Sequence, residues 1–423
     1  MSREMKDSGI PWIGEIPKEW RNLKFKYSGS FQKGKLPNEF NVEGNGYPII
    51  GASEMLGKTP RQYSLEADLP VCDIEDILIL WDGANAGIVS TNHKGIISST
   101  TVRYSCVDKR CSSRYVFYLF KSVEPYFREK VFGTTIPHMN MEYINEVPLL
   151  LPTLAEQRTI AEFLDRKCGE IDELVDLQDK MIEELKAYKQ SIITETVTKG
   201  LNPNITFKDS GIEWIGEIPK HWKIVRLSAI GSTINGISKN ASFFGEGFPF
   251  VSYKDVYNNY NLPKKVIGLV NSTENEQKLF SVRRGDVFFT RTSETIEEIG
   301  FSSVCLETIS NAVFAGFLIR FRPISNKLEP HFSKFYFRAI CHRNYFVKEM
   351  NLVTRASLSQ NLLKSMPVLL PPLSEQQKIA DYLDKKCSEI DSLIELKQQK
   401  IEELKDYKKS IIYEYVTGKK QVS

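Results

Sequence analysis

Pro148-Leu149-Leu150-Leu151-Pro152-Thr153-Leu154, followed by Glu156-Gln157 and an apolar-periodic stretch to about Thr198, occurs twice in this chain. The second copy begins at Pro367, 219 positions later, and keeps step without a gap to Thr417. Ile182-Glu183-Glu184-Leu185-Lys186 returns as Ile401-Glu402-Glu403-Leu404-Lys405, and Ser191-Ile192-Ile193 as Ser410-Ile411-Ile412. A duplication this plain governs the architecture and is read before any local feature.

Each copy predicts one long helix. Leu164, Cys168, Ile171, Val175, Ile182 and Leu185 step by four and three, with Gln178 in the one polar slot. Leu383, Cys387, Ile390, Ile394, Ile401 and Leu404 repeat the spacing, with Lys397 in the matching slot. That is the narrow 3.5-residue seam of a coiled coil rather than the wider stripe of a globular-core helix. Pro152 and Pro371 stand just ahead of the start, where proline is tolerated, and only Gly169 interrupts the seam region. About 45 residues at ~1.5 Å each give a rod of roughly 65–70 Å. Such a rod cannot bury its seam alone, and its own copy is the fitting partner. Two unrelated surface helices would not need identical seams.

A second duplication precedes each globular half. Lys6-Asp7-Ser8-Gly9-Ile10-Pro11-Trp12-Ile13-Gly14-Glu15-Ile16-Pro17-Lys18-Glu19-Trp20 recurs as Lys208-Asp209-Ser210-Gly211-Ile212-Glu213-Trp214-Ile215-Gly216-Glu217-Ile218-Pro219-Lys220-His221-Trp222. Its fixed Gly, Pro and Trp positions predict an irregular arm pinned by two tryptophans. The chain therefore reads as arm, globular half, rod, and the same again. The divisions fall at 1–150, 151–200, 201–369 and 370–423. The halves match only in patches: Gly46-Tyr47-Pro48-Ile49-Ile50 with Gly247-Phe248-Pro249-Phe250-Val251, and Asp76-Ile77-Leu78-Ile79-Leu80 with Asp286-Val287-Phe288-Phe289-Thr290. The last pair predicts short buried strands entered through an acidic turn. Further strands are expected at 102–105 and 317–322, and helices at 113–131 and 330–349.

Composition is that of an ordinary globular chain, 41% hydrophobic and 26% charged, with room for two or three domains. No stretch approaches the ~18 apolar residues of a membrane span, and the N-terminal Met-Ser-Arg-Glu-Met-Lys leads into no apolar signal core. The seven cysteines lack metal spacing, and buried free thiols in a reducing cytoplasm are expected. A net charge of +3 leaves any nucleic-acid binding to local patches or to partners.

Catalytic signatures fail one by one. The run from Gly51 to Thr59 imitates a phosphate loop but has five residues between its glycines, and Pro60 follows where a helix should open. Asn202-Pro203-Asn204-Ile205 falls short of the Asn-Pro-Pro-aromatic tetrad of amino methyltransferases, and no Gly-x-Gly-x-x-Gly turn precedes it. Glu184/Lys186 and Glu403/Lys405 read as solvated charge pairs on the rods rather than a nuclease set. The five histidines are dispersed, without metal-ligand spacing. No catalytic, cofactor or metal residues are assigned.

What remains is a set of polar and basic loops at equivalent places, after the buried strand and before the rod. In the first half the candidates are Gln32, Lys33, Lys35, Trp81, Asn85, Thr134, Thr135, His138 and Asn140. In the second they are Lys239, Asn240, Arg291, Thr292, Ser293, Thr295, Arg355, Ser357, Ser359 and Gln360. Arg and Lys suit guanine edges and phosphates, Asn and Gln suit adenine, and Ser and Thr suit either. Loops are polar in any protein, but equivalent placement in both halves marks a binding face. Unlike loops on a shared scaffold imply two different ligands of one kind.

The doubled arm and the doubled Pro-Leu/Val-Leu-Leu-Pro-x-Leu-x-Glu-Gln rod entry closely resemble the specificity subunit of type I restriction–modification systems, over almost the whole chain. The resemblance implies an α+β chain of two α/β target recognition domains, separated by two long helices that form an antiparallel coiled coil with pseudo-two-fold symmetry. Each half would read one part of a bipartite site on double-stranded DNA, with half-sites about one helical turn, ~34–36 Å, apart. The chain itself would bind no cofactor. It would act in the prokaryotic cytoplasm with two modification (methyltransferase) subunits using S-adenosylmethionine on adenine. Two restriction/translocase subunits would use ATP and Mg2+. A two-domain protein-interaction adaptor is the alternative, and an autonomous methyltransferase or nuclease is disfavoured by the missing motifs.

Overall fold

The computed structural model describes residues 3–10, 13–131, 137–293, 299–324, 326–349 and 356–422. These group into two units, Met1–Asp179 with Gln398–Ser423, and Lys180–Lys397. The division cuts both long helices, so each unit owns the N-terminal part of one rod and the C-terminal part of the other.

The rods are helices Leu154–Lys199 and Leu373–Val416. They end where glycine takes a positive φ: Gly200 at 78° and Gly418 at 71°. A side chain there would be strained, and it would also meet the arm, Trp222 beside Gly200 (with Glu375 of the second rod) and Pro17 and Trp20 beside Gly418.

The seam is buried as its spacing requires. In the first unit Leu164, Cys168 and Ile171 share one core with Ile411, Ile412 and Val416, and Val175 and Leu404 lie at its margin. In the second, Leu383, Cys387 and Ile390 share a core with Ile192, Ile193 and Val197, and Leu185 and Ile394 lie at its margin. Ile182 and Ile401 are buried as well. Pairing is antiparallel within each unit. In the first, Phe163 packs on Tyr415 at 4.4 Å between ring centroids, while Lys408 Nζ meets Asp172 at 2.6 Å. In the second, Lys189 Nζ meets Asp391 at 2.6 Å, and Lys397 Nζ lies 3.4 Å from Met181 Sδ. Asp172 and Asp391 are copies of one another, as are Lys189 and Lys408. The same ion pair is thus formed twice. Part-exposed pairs of this kind contribute under about 1 kcal/mol and act mainly on register.

The Glu-Gln that opens each rod is structural. Gln157 accepts from Ser112 N at 2.8 Å and donates to Arg110 O at 2.9 Å and Pro152 O at 3.0 Å. Gln376 accepts from Glu329 N and donates to Lys327 O and Pro371 O, each at 2.8 Å. Both amides are fully buried and tie the rod to the loop that follows the central strand. Glu156 and Glu375 hold the arms instead, through Arg3 at 2.7 Å and His221 at 2.8 Å.

The arms are more regular than expected. Met5–Asp7 pairs with Glu15–Pro17, and Phe207–Asp209 with Glu217–Pro219, each an antiparallel hairpin. Lys6 Nζ donates to Trp20 O at 2.7 Å and Lys208 Nζ to Trp222 O at 2.8 Å. Trp20 and Trp222 are buried and Trp214 is half-buried, while Trp12 lies outside the described residues. Past the arm, Arg21–Lys24 pairs with Pro148–Leu151, and Lys223–Arg226 with Pro367–Leu370, which carries each half onto its rod.

The halves match in topology far beyond their patches of sequence. The first has an antiparallel sheet in the order Gly29–Lys33, Thr101–Cys106, Ile77–Leu80, Val89–Ser90. The second repeats it as Gly231–Asn235, Leu318–Pro323, Val287–Thr290, Ser302–Val304. A smaller mixed sheet packs on each, around the parallel pairs Tyr47–Ile50 with Gly95–Ile97 and Phe244–Val251 with Val313–Phe314. The acidic-turn strands are buried on both faces because alternate residues enter different cores. Ile77 and Ile79 face the helix side, and Leu78 and Leu80 the smaller sheet. Val287 and Phe289 against Phe288 repeat this. Helix Ser113–Glu129 lies where expected, but the run at 330–349 is two helices, Pro330–Tyr336 and Ile340–Glu349. The Arg338 guanidinium donates to Ser302 O at 2.8 Å and Tyr257 O at 2.7 Å, which draws the chain out of helix between them.

Two stability tests follow. Gln157→Ala removes a fully buried amide and leaves the buried Pro152 carbonyl and the part-buried main-chain groups of 110 and 112 without that partner, so it should destabilise the first unit by on the order of 3 kcal/mol in denaturant titration. An effect within error would remove the clamp. His342 is buried with Nε2 unpartnered, and burial pushes its pKa from 6.5 down to about 4. The fold holds the neutral ring, so this stabilisation is present above pH 6.5 and is lost as pH falls towards 4. His342→Phe should flatten the acid slope of unfolding, and an unchanged slope would contradict the assignment.

Candidate nucleic-acid interface

In each half three separate segments meet at one corner, held by the same main-chain bonds. Gly34 N donates to Thr101 O at 2.9 Å and Gly236 N to Leu318 O at 3.3 Å. A Cβ at either glycine would overlap carbonyl oxygens of the neighbouring segment, Ile97 and Ser98 or Phe314 and Ala315. Trp81 N donates to Thr100 O at 2.8 Å, and Arg291 N to Phe317 O at 2.9 Å. The third segment returns through Met139 N to Trp81 O at 2.9 Å and Leu358 N to Arg291 O at 2.7 Å. Asp82 then bridges His138, and Thr292 pairs with Ser357. Asn140 and Ser359 cap the next helices, accepting from Glu142 N at 2.9 Å and Leu362 N at 3.1 Å.

The side chains on this common frame differ. In the first half Asp82 joins two donors of the corner, accepting from His138 Nδ1 at 2.6 Å and Lys33 Nζ at 3.3 Å. In the second the corner is an amide network: Thr233 Oγ1 donates to Gln360 Oε1 at 2.9 Å, and Gln360 Nε2 to Asn235 Oδ1 at 3.0 Å. Arg291 is half-buried beside it.

The structure therefore brings together Gln32, Lys33, Trp81, His138 and Asn140 in one half, and Arg291, Thr292, Ser357, Ser359 and Gln360 in the other. Lys35 is exposed next to the first corner and Asn85 is half-buried in its turn. Trp81 packs on the core margin, so only part of it faces outward. Lys239 is held internally, donating to Glu276 at 2.7 Å and Asn271 O at 2.8 Å, and Asn240 precedes the turn Ala241–Phe243. Thr134, Thr135, Thr295 and Arg355 lie outside the described residues, as does the side chain of Ser293.

Four contributors are absent from the residues singled out in the sequence: Asp82, Arg103, Thr233 and Asn235. Arg103 donates Nη2 to Gln32 Oε1 at 2.5 Å, and it also donates to Val71 O. Arg320 holds the equivalent place on the second central strand. It donates to Ser281 O at 2.7 Å, and burial pushes its pKa down to about 10. The alternation of Val102-Arg103-Tyr104 put Arg103 on the face opposite Tyr104, which was the available signal.

The apparent phosphate loop is closed by its own chemistry. Gly51 N donates to Glu54 Oε2 at 3.0 Å, so a carboxylate sits where a phosphate would need to be. Among the described residues no group of three or more His, Cys, Asp or Glu is placed to hold a metal, and no helix is long and apolar enough to cross a membrane.

Comparison with known proteins agrees with the duplicated frame. The family model for the type I restriction modification DNA specificity domain matches twice, over residues 17–187 and 219–406. The type I restriction enzyme MjaVIII specificity subunit of Methanocaldococcus jannaschii is 28% identical over 416 residues, 96% of this chain and 94% of that protein. The type I restriction enzyme EcoBI specificity subunit of Escherichia coli is 21% identical over 406 residues, 93% and 84% of the two. A solved chain from work on assembly and conformational transition of the type I R-M system has a TM-score of 0.70 at 18% identity, over 95% of this chain and 99% of that one. The HsdS subunit from Thermoanaerobacter tengcongensis gives 0.50 at 18%, over 95% and 98%. With two matched specificity domains on one repeated frame, this chain belongs to the type I restriction–modification DNA specificity family.

Proposed function

We propose that this chain is the sequence-reading subunit of a type I restriction–modification complex. Each half reads one part of a bipartite site on double-stranded DNA, and the paired rods set the spacer. The observation that carries the reading is one main-chain frame built twice with unlike side chains. A scaffold kept constant beneath changed polar tips suits two different sequences of one polymer, and family membership favours DNA over the adaptor alternative.

Phosphate contacts position such a protein and base-edge contacts specify it. Lys33, Lys35 and Arg291 supply cationic donors, while the amides and hydroxyls supply directional ones. With a net charge of only +3, affinity draws on these local groups and on partner subunits. The chemistry in this proposal belongs to those partners: two modification subunits that methylate adenine with S-adenosylmethionine, and two restriction subunits that use ATP and Mg2+. The chain itself contributes direction rather than catalysis, in the cytoplasm where the DNA is.

The test is to sequence methylated adenines in a host carrying the full system, with and without Arg291→Ala. The wild-type protein should mark one bipartite asymmetric site. Arg291→Ala should cost ~1–3 kcal/mol and relax only the second half-site. An unchanged pattern removes Arg291 from the interface, and the absence of any bipartite site contradicts the function.

A further inference from the structure

Gln32 stands at the exposed end of an edge strand, directly opposite Arg103 in the sheet register. The guanidinium can only donate, so the Gln32 oxygen must be the atom that faces it. That contact is 2.5 Å from Nη2 to Oε1, and Arg103 is itself anchored at Val71 O and lies 3.9 Å from the Asp76 carboxylate. An amide whose oxygen is turned into the protein cannot lay oxygen and nitrogen side by side on an adenine edge. Its outward group is NH2, a donor alone. The second half repeats the device one position along, where Gln360 Nε2 occupies Asn235 Oδ1 at 3.0 Å and leaves the Asn235 NH2 as the outward end. Both corners thus turn amide oxygens inward.

Resting on the function proposed above, we infer that Arg103 is a positioning residue that makes Gln32 a donor-only reader. The base Gln32 meets in the first half-site then offers an acceptor, guanine O6/N7, thymine O4 or adenine N7, so cytosine is rejected and adenine loses the two-point pairing that an unrestrained glutamine would give it. Gln32 is a specificity-determining residue through this fixed orientation, not through its residue type, which by itself would favour adenine.

The experiment uses the full complex and reads base identity at each position of the methylated site. In the wild-type protein one position of the first half-site should reject cytosine and show no preference for adenine over guanine or thymine. Gln32→Glu keeps the oxygen for Arg103 but turns an acceptor outward. That position should switch to cytosine or adenine, whose N4 or N6 amino group donates, by about tenfold in preference. Gln32→Ala should leave it unspecified, and Arg103→Lys, by loosening the hold on the amide oxygen, should shift the preference at that position towards adenine. Because Gln32 is exposed, its variants keep the fold, and continued reading of the second half-site verifies this in the same data. An unchanged first half-site overturns the inference. So does a uniform loss of methylation with no change of base preference, which is the mark of a phosphate contact. A wild-type complex with no bipartite site would instead count against the function itself.

Discussion

The pairing of each rod with the opposite end of its own copy is the constraint on which the rest depends. Neither globular core is complete without it. Ile411, Ile412 and Val416, from the far end of the sequence, sit inside the first core, and Ile192, Ile193 and Val197 sit inside the second. Burying each such side chain is worth roughly 1.5–3 kcal/mol as an upper figure. Three per half is then a large share of the marginal stability of a domain. The first half and its arm close over the end of the second rod: Tyr115 OH of helix Ser113–Glu129 reaches Val416 O at 3.3 Å, and Lys419 Nζ reaches Ile13 O of the arm at 2.8 Å. Loss of the seam would expose more than a helix face; it would open both cores.

This dependence explains what was kept and what drifted between the halves. Rod entry, arm and clamp are repeated nearly residue for residue because each makes contacts that admit few replacements, such as the buried amides Gln157 and Gln376. The sheets needed only buried strands of matching register, so Ile77-Leu78-Ile79-Leu80 and Val287-Phe288-Phe289-Thr290 do the same work with different residues. The corner loops are held by main-chain bonds and by glycines that no side chain can replace. Their outward side chains were free to become Lys33, Asp82 and His138 in one half and Asn235, Thr292 and Ser357 in the other. Constancy of frame and variability of tip are one consequence of the same bonding.

The sequence was legible wherever the determinant is local and periodic. The rods, their seam, the doubly buried strands and the three corner loops all follow from spacing and repetition. It was opaque where a distant partner decides. The break between Pro330–Tyr336 and Ile340–Glu349 has no glycine or proline at its joint; it is set by Arg338 binding carbonyls of 257 and 302. The hairpin in each arm depends on a lysine reaching the carbonyl of a tryptophan 14 residues on. Asp82, Arg103 and Thr233 gain their roles only once separate strands bring them beside His138, Gln32 and Gln360. Lys239 looked like a binding residue for the opposite reason, since its charge is taken up by Glu276, far off in sequence.

If the two rods present interchangeable surfaces, a chain ending near Asn204 should restore its missing partner from a second copy of itself. It would carry one arm, one recognition half and one rod. Ile192, Ile193 and Val197 of one molecule would then fill the places that Ile411, Ile412 and Val416 hold in the first core. The measurement is the mass of this fragment in solution by light scattering. A stable dimer of twice the chain mass is the expected result, and a folded monomer at micromolar concentration would contradict the account.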